Sequence, residues 1–300
     1  MRKKTVAVVT SALTVAAAGL VVALSACSQP SGDVQQISDL NYVDNSKNYF
    51  QFLDLYLPGQ SDHKKSPLIV WIHGGAWRYG DKKDNPALFF AQHNYAVASL
   101  NYRLTDKARF PAQIQDCKAA IRWLRAHAQQ YNLDPNKIGA FGMSAGGHLV
   151  AMLGVTNDDK QFDDVGGNQQ SSSNVQAVCD WCGPTDMFTL QKQSKGHTRL
   201  NWEGKDAPLR HLLGEEPTKV PELAHRASPV DLVKAGAPPF LIMHGDKDEV
   251  VPILQSQELY DALKKVNADV KMVVVKDGEH SFSNPDTLKQ ALDFFNEKLK

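Results

Sequence analysis

Positive charge is in short supply in this chain. Its 33 lysines and arginines are matched by 33 aspartates and glutamates. Three of the basic residues, Arg2, Lys3 and Lys4, sit at the extreme N-terminus, and without them the balance is 30 to 33, a net charge of −3. A nucleic-acid partner needs a strong basic field, and none is available. Cysteine is also scarce, with four in 300 residues. That is too few for a disulfide-stapled scaffold. Cys179 and Cys182 form a lone C-x-x-C in "VCDWCG". Zinc would need two further ligands at suitable spacing, and a redox pair would open a helix. Here the pair follows an apolar run and leads into Gly183-Pro184, a turn. The expectation is buried, hydrophobe-like cysteines, although an extracytoplasmic setting leaves a disulfide open.

Long apolar runs are missing except at one place. After Arg2–Lys4, no charge occurs until beyond Cys27. A charged head, an apolar run and small residues at its end make an export signal. A run of about 20 residues could also span a bilayer. The end of the run decides between them, because Leu24-Ser25-Ala26-Cys27 resembles the lipobox of bacterial lipoproteins. That resemblance implies cleavage before Cys27, lipidation of its sulfur and a membrane partner through the lipid anchor. The expected layout is a signal at 1–26, a polar, flexible tether at 27–40 and, at 41–300, a length that suits one large domain or at most two small ones. In either reading the positive head stays inside and the remainder is extracytoplasmic.

What the chain does have is alternation. Continuous apolar runs at 67–72 and 95–100 read as strands buried on both faces, and 137–143, 175–179, 239–243 and 270–275 read as further strands. A run with part period-two character at 49–57 precedes them. Helical spacing fills the gaps at 111–131, 145–153, 252–266 and 284–299. Strand and helix in turn predict an α/β fold, a mostly parallel central sheet with helices on both faces. Residues 157–174 read as a polar loop. Residues 187–230 read as a small insertion over the rim, a cap or a surface decoration.

Such sheets bind ligands at the carboxyl ends of their strands. Polar and glycine-rich segments follow those ends: His73-Gly-Gly75, Ser144, Gly183-Pro-Thr-Asp186, Gly245-Asp-Lys-Asp248 and Gly278-Glu-His280. Gly142-Met-Ser144-Ala-Gly146 is G-x-S-x-G between a strand and a helix. That spacing holds the serine in an unfavourable backbone conformation with its hydroxyl exposed, and glycine at 142 and 146 avoids a clash of Cβ atoms. A serine nucleophile needs a base, an acid and oxyanion donors. His280 alone among the ten histidines follows the last strand. His73 precedes Ser144 and His148 lies in the helix after it. Asp246 and Asp248 both fit the acid by position. "HGGAW" after the second buried strand makes Gly75 and Ala76 candidate oxyanion donors, with the N–H of Ala145 as the third. His73 reads as a brace for that loop and Trp77 as a pocket edge that contacts substrate.

These motifs together resemble the α/β-hydrolase superfamily, in its HGG-motif esterase/lipase group. HGGAW, GxSAGGH, "GPTD" and HGDxDxxVP are similar to the branch containing feruloyl esterase-like, acetyl-xylan esterase-like and kynurenine formamidase-like proteins. The resemblance spans residues 45–300. It implies Ser144 as nucleophile, His280 as base and Asp248 as acid, acting on a small-molecule carboxylic ester without metal or organic cofactor. Ala76 replaces the last glycine of the commoner HGGG, which leaves a backbone donor unaffected. Arylformamidase and serine peptidase are the enzymatic rivals. The first fits poorly with export, and the second lacks room for its usual propeller. A catalytically inactive binding module is the rival from another class, disfavoured because all three triad residue types stand in order.

Overall fold

The computed structural model describes residues 33–59, 64–196 and 199–300. The expected signal and Cys27 lie outside the described residues.

Among the described residues, one eight-stranded sheet runs in the order β1-β2-β4-β3-β5-β6-β7-β8. The strands are β1 (Gln35–Asn41), β2 (Phe52–Leu57), β3 (Ser66–Ile72), β4 (Ala96–Leu100), β5 (Leu133–Met143), β6 (Ala177–Trp181), β7 (Phe240–Gly245) and β8 (Val270–Val275). β2 is antiparallel to both of its neighbours, and every pairing from β4 onward is parallel. The helices are α1 (Leu88–Ala91), α2 (Ala112–Ala126), α3 (Ala145–Val155), α4 (Thr189–Ser194), α5 (Pro208–Leu213), α6 (Pro221–Arg226), α7 (Pro229–Leu232), α8 (Leu254–Lys265) and α9 (Pro285–Leu299).

β3, β4, β6 and β7 are buried along their whole length, with successive side chains pointing to opposite, covered faces. The edge strand β8, expected from 270–275, is only partly buried and exposes Val274. In β3, Leu68, Val70 and Ile72 enter one hydrophobic cluster with α2 and α3, while Ile69 and Trp71 enter the other with α1 and α9. In the second cluster Phe141 packs at 4.8 Å from both Trp71 and Trp181. Edge-to-face packing of this kind contributes about 0.5–1.5 kcal/mol per pair beyond area burial. A rigid aromatic floor therefore lies under the carboxyl ends of β3, β5 and β6.

Two expectations need correction. The tether at 27–40 does not extend to residue 40, because Gln35–Asn41 is an edge strand on β2. Ile37 and Leu40 pack on the core. A register shift between them, with Asp39 at φ 57°, breaks the period-two pattern that would have revealed the strand. Second, the run at 49–57 begins as a 3₁₀ turn at Tyr49–Gln51, capped by the Asn48 side chain, which accepts from the Phe50 N–H. The strand itself starts at Phe52. The polar segment at 157–174 is a loop, as expected, with one 3₁₀ turn at Lys160–Phe162, and it is anchored. Asp163 is buried and takes a 2.7 Å ion pair from Arg122 of α2, and the Lys118 ammonium donates to the Thr156 and Asp159 carbonyls.

The insertion holds α4 to α7. Proline stands in the first turn of α5, α6 and α7, where its missing N–H costs nothing. Trp202, Leu209, Leu212, Leu213, Ala224 and Ala227 are buried in the main core cluster, so this segment is packed firmly onto the sheet domain.

Candidate active site

Ser144 stands between β5 and α3 with φ 59° and ψ −121°. The backbone there is left-handed in φ, which costs a non-glycine residue about 1–3 kcal/mol. Neighbouring contacts impose it. The Ser144 N–H donates to Trp181 O at 2.8 Å, and its carbonyl accepts from the His148 N–H at 2.9 Å. The flanking glycines are required by space. A Cβ at Gly142 would stand 2.4 Å from the Gly146 carbonyl oxygen, and one at Gly146 would stand 2.0 Å from that of Ile72.

The HGGAW loop lies against this elbow. A Cβ on Gly74 would meet Ser144 Cβ at 3.3 Å and Met143 O at 3.0 Å. Gly75 (φ 102°), Ala76 (φ 54°) and Trp77 (φ 57°) are all left-handed. This curls the loop back so that the Arg78 and Tyr79 N–H groups donate to Gly75 O. Ala145 is the first residue of α3, so its N–H has no acceptor within the helix. The three expected donors are thus on backbone segments that converge on Ser144. His73 is the brace of this loop. It is buried, stacks on Tyr102 at 4.4 Å, and its Nδ1 donates to Gly74 O at 2.7 Å. Burial pushes its pKa down.

At the neighbouring strand ends, His280 Nδ1 donates to Asp248 Oδ2 at 2.7 Å. Asp248, rather than Asp246, is the paired acid. Asp246 is exposed, whereas the Asp248 side chain is 1% exposed. Burial opposes the charged form of Asp248. The hydrogen bonds from His244 and His280 outweigh it and hold the carboxyl well below the usual carboxylate range. Oδ1 accepts from the Val250 and Val251 N–H groups at 2.7 and 2.9 Å.

Cys117, Cys179 and Cys182 are free and buried. Cys182 lies under the site, its thiol directed at the His280 carbonyl at 3.5 Å. Burial and the nearby Asp248 and Asp180 push its pKa up. Cys182, Asp248 and His280 bring potential metal-ligand atoms within 4.8 Å of one another, but the short Asp248–His280 hydrogen bond already occupies two of them.

Trp77 is the correction within the site. It was expected at a pocket edge and is fully buried. An indole N–H removed from water needs an acceptor, and Trp77 Nε1 finds it at His148 Nδ1, 3.0 Å away. His148 Nε2 in turn donates to Ala227 O at 2.8 Å. A carbonyl can only accept, so His148 carries its proton on Nε2 and accepts on Nδ1. Burial pushes its pKa down to about 4. The folded value thus lies below the unfolded value of about 6.5. The unfolded chain therefore takes up the proton first, and the stability present above that pH is lost on acidification. Between pH 7 and pH 5 the wild type is expected to lose about 2 kcal/mol more than His148→Gln. Urea titrations of both proteins at each pH check this. The buried Asp180, raised by burial to about 6, shifts stability in the opposite sense but equally in both, so it cancels in the difference.

A cavity of about 460 Å³ adjoins the elbow, with Trp71, Gly74, Gly75, Met143 and Ser281 in its wall. Its lining thus includes the immediate chain neighbours of Ser144 and His280. Two contributors were not evident from sequence. One is Gly74, whose missing side chain lets the loop touch Ser144. The other is His244, a polar residue at the end of a buried strand, which is itself the signal that could have found it.

A mostly parallel sheet with a strained serine elbow and an Asp–His pair on the following strand ends defines an α/β-hydrolase fold. Residues 53–263 match the BD-FAE family, and the chain belongs to that family. It is 30% identical over 229 residues to the esterase LipC of Mycobacterium tuberculosis, covering 72% of this chain and 53% of that protein. The chain spans about half the length of the curated relatives it matches. A truncated carbohydrate esterase from gut microbiota superposes with a TM-score of 0.80 at 33% identity, covering 88% of this chain and 96% of that one. Esterase 2 of Thermogutta terrifontis, solved phosphonylated by sarin, superposes with a TM-score of 0.69 at 27% identity, covering 90% and 95%.

Proposed function

We propose that the chain is a serine-dependent carboxylic ester hydrolase. The observation that carries this reading is the 2.7 Å His280–Asp248 pair on the same sheet rim as the strained Ser144. In the proposed cycle Ser144 Oγ attacks the ester carbonyl while His280 takes its proton. Asp248 keeps the proton of His280 on Nδ1, leaving Nε2 as the base. The N–H groups of Gly75, Ala76 and Ala145 hold the oxyanion, and removing one such donor costs about 2.7–4 kcal/mol. His280 then protonates the leaving alkoxide. Water, deprotonated by the same histidine, then attacks the acyl carbonyl, and as the C–Oγ bond breaks His280 returns that proton to Ser144 Oγ, releasing the acid and restoring the enzyme.

The proposed substrates are short-acyl or aryl esters of the acetyl and feruloyl type. The cavity beside the elbow supports the larger group, since its volume falls within the 300–1,000 Å³ of ordinary ligand sites. The family match and the esterase relatives support the reaction class. Assays on p-nitrophenyl esters of graded acyl length, with acetylated and feruloylated sugars alongside, test the reading. An initial burst of p-nitrophenol equal to the enzyme concentration is expected on substrates whose deacylation is slow. Failure to hydrolyse any carboxylic ester would overturn the reading.

We propose also that the mature chain is held on the outer side of a membrane by a lipid on Cys27, on the strength of Leu24-Ser25-Ala26-Cys27. A single acyl chain binds weakly, so more than one is needed for a stable tether. In a bacterial host, Cys27→Ser is expected to move the protein from the detergent phase to the aqueous phase. Unchanged partitioning would refute the anchor.

A further inference from the structure

The carboxylate of Asp248 receives a second imidazole. His244, the penultimate residue of β7, is fully buried. Its Nε2 lies 2.9 Å from Val251 O and 3.1 Å from Asp248 Oδ2. Its Nδ1 lies 2.7 Å from Ser256 Oγ in the first turn of α8. Val251 O can only accept, so Nε2 carries a proton whatever the charge of the ring. That N–H is shared between the carbonyl and the carboxylate.

A carboxylate offers about four acceptor positions, and all four are used here. Val250 N and Val251 N fill Oδ1, while His280 Nδ1 and His244 Nε2 fill Oδ2. The two backbone bonds alone fix one oxygen but leave the carboxylate free to tilt about it. The His244 bond removes that freedom. It also ties the acid to α8 through Ser256, and α8 is tied to the "GPTD" loop. There the Gln255 side chain accepts from the Thr185 and Asp186 N–H groups at 2.8 and 2.9 Å. The other ionisable groups facing this cluster are Asp180 at the end of β6 and Cys182 beyond it.

We propose that His244 is a positioning residue, acting through Asp248 to fix the direction in which His280 presents its Nε2. The proposal rests on the ester-hydrolase reading. A misplacement of about 1 Å in a catalytic group can cost on the order of 10²-fold in rate, and that sets the expected scale.

The test compares His244→Leu, which removes the donor, with His244→Gln, whose amide N–H can take the place of Nε2. His244→Leu is expected to lower kcat by about 10²-fold with little change in KM. The far-downfield proton resonance of the His280–Asp248 hydrogen bond should broaden or shift. His244→Gln should restore most of both. A role confined to bracing β7 on α8 would lower the melting temperature but leave the kcat of the folded fraction and the resonance unchanged, and that result overturns the proposal. If His244→Leu does not fold, Ser256→Ala carries the test. It frees one nitrogen of the same ring, and it should lower kcat several-fold and perturb the resonance; no effect on either overturns the proposal. Loss of activity in Ser144→Ala together with full activity in His244→Leu would sink this inference alone. Activity retained in Ser144→Ala would sink the reading beneath it.

Discussion

Replacing Ser144 with alanine is expected to lower kcat for ester hydrolysis by about 10⁶-fold, the scale seen when a serine nucleophile is removed from an intact site. The variant should fold as the wild type does. Alanine at φ 59° carries the same backbone strain as serine, and the hydroxyl is replaced in a shell that is held by backbone contacts rather than by the side chain. Ser144→Gly should be equally inactive yet more stable, because glycine adopts positive φ without the steric cost. A gain of about 1 kcal/mol is the expected size. Steady-state kinetics and denaturant melts on the three proteins separate the two effects. A fluorophosphonate probe should label the wild type alone. Substantial hydrolysis by Ser144→Ala would remove the serine from the mechanism.

The second large effect belongs to the acid. Asp248→Asn is expected to cost about 10⁴-fold in kcat, and Asp246→Asn less than about twofold, as for surface changes away from special features. The reason lies in what surrounds Asp248. Both of its oxygens accept, one from two backbone N–H groups and the other from two imidazole N–H groups. An amide has only one acceptor oxygen. If that oxygen stays on the backbone side, the amide N–H₂ faces His280 Nδ1 and drives its proton to Nε2, where it can no longer act as a base. If it turns to the histidines, two backbone donors face two more donors. Asp246 has no such role. It is exposed, and its N–H is the group in use, donating to Val275 O at 3.1 Å. Equal losses in the two variants would refute the assignment.

Much of this was legible before any coordinates. The strands of the sheet centre are continuous apolar runs because they are buried on both faces, and Leu68 to Ile72 advertise themselves in that way. Ser144 is legible because glycines at 142 and 146 have one steric reason to be there. Position along the chain singled out His280. The choice between Asp246 and Asp248 was not a matter of spacing. It depends on which carboxylate the loop turns inward, and the Val250 and Val251 N–H groups decide that. β1 was hidden because an edge strand with one packed face and a register shift need carry only Ile37 and Leu40 as signals. Trp77 was misplaced for a related reason. A glycine-rich loop reads as surface, and nothing local says that its indole will meet a histidine 71 residues away. The short insertion helices could be recognised from their prolines, but not the surface that receives them.

The Trp77–His148–Ala227 relay limits how this scaffold can diversify. It joins the loop after β3, the helix behind the nucleophile and the far end of the insertion through one imidazole. Trp202, inside the insertion, donates to Val250 O in the loop that carries Asp248. Between these two fastenings Leu209, Leu212 and Leu213 are buried in the core and the Phe110 N–H donates to Leu212 O at 2.9 Å, so a change of length is expected to be tolerated only in the exposed stretch 203–206. A change that shifted Ala227 or Trp202 would be felt at the oxyanion loop or at the acid. The two ends of the insertion thus serve as hinge pins shared with the HGGAW loop and with the loop of Asp248.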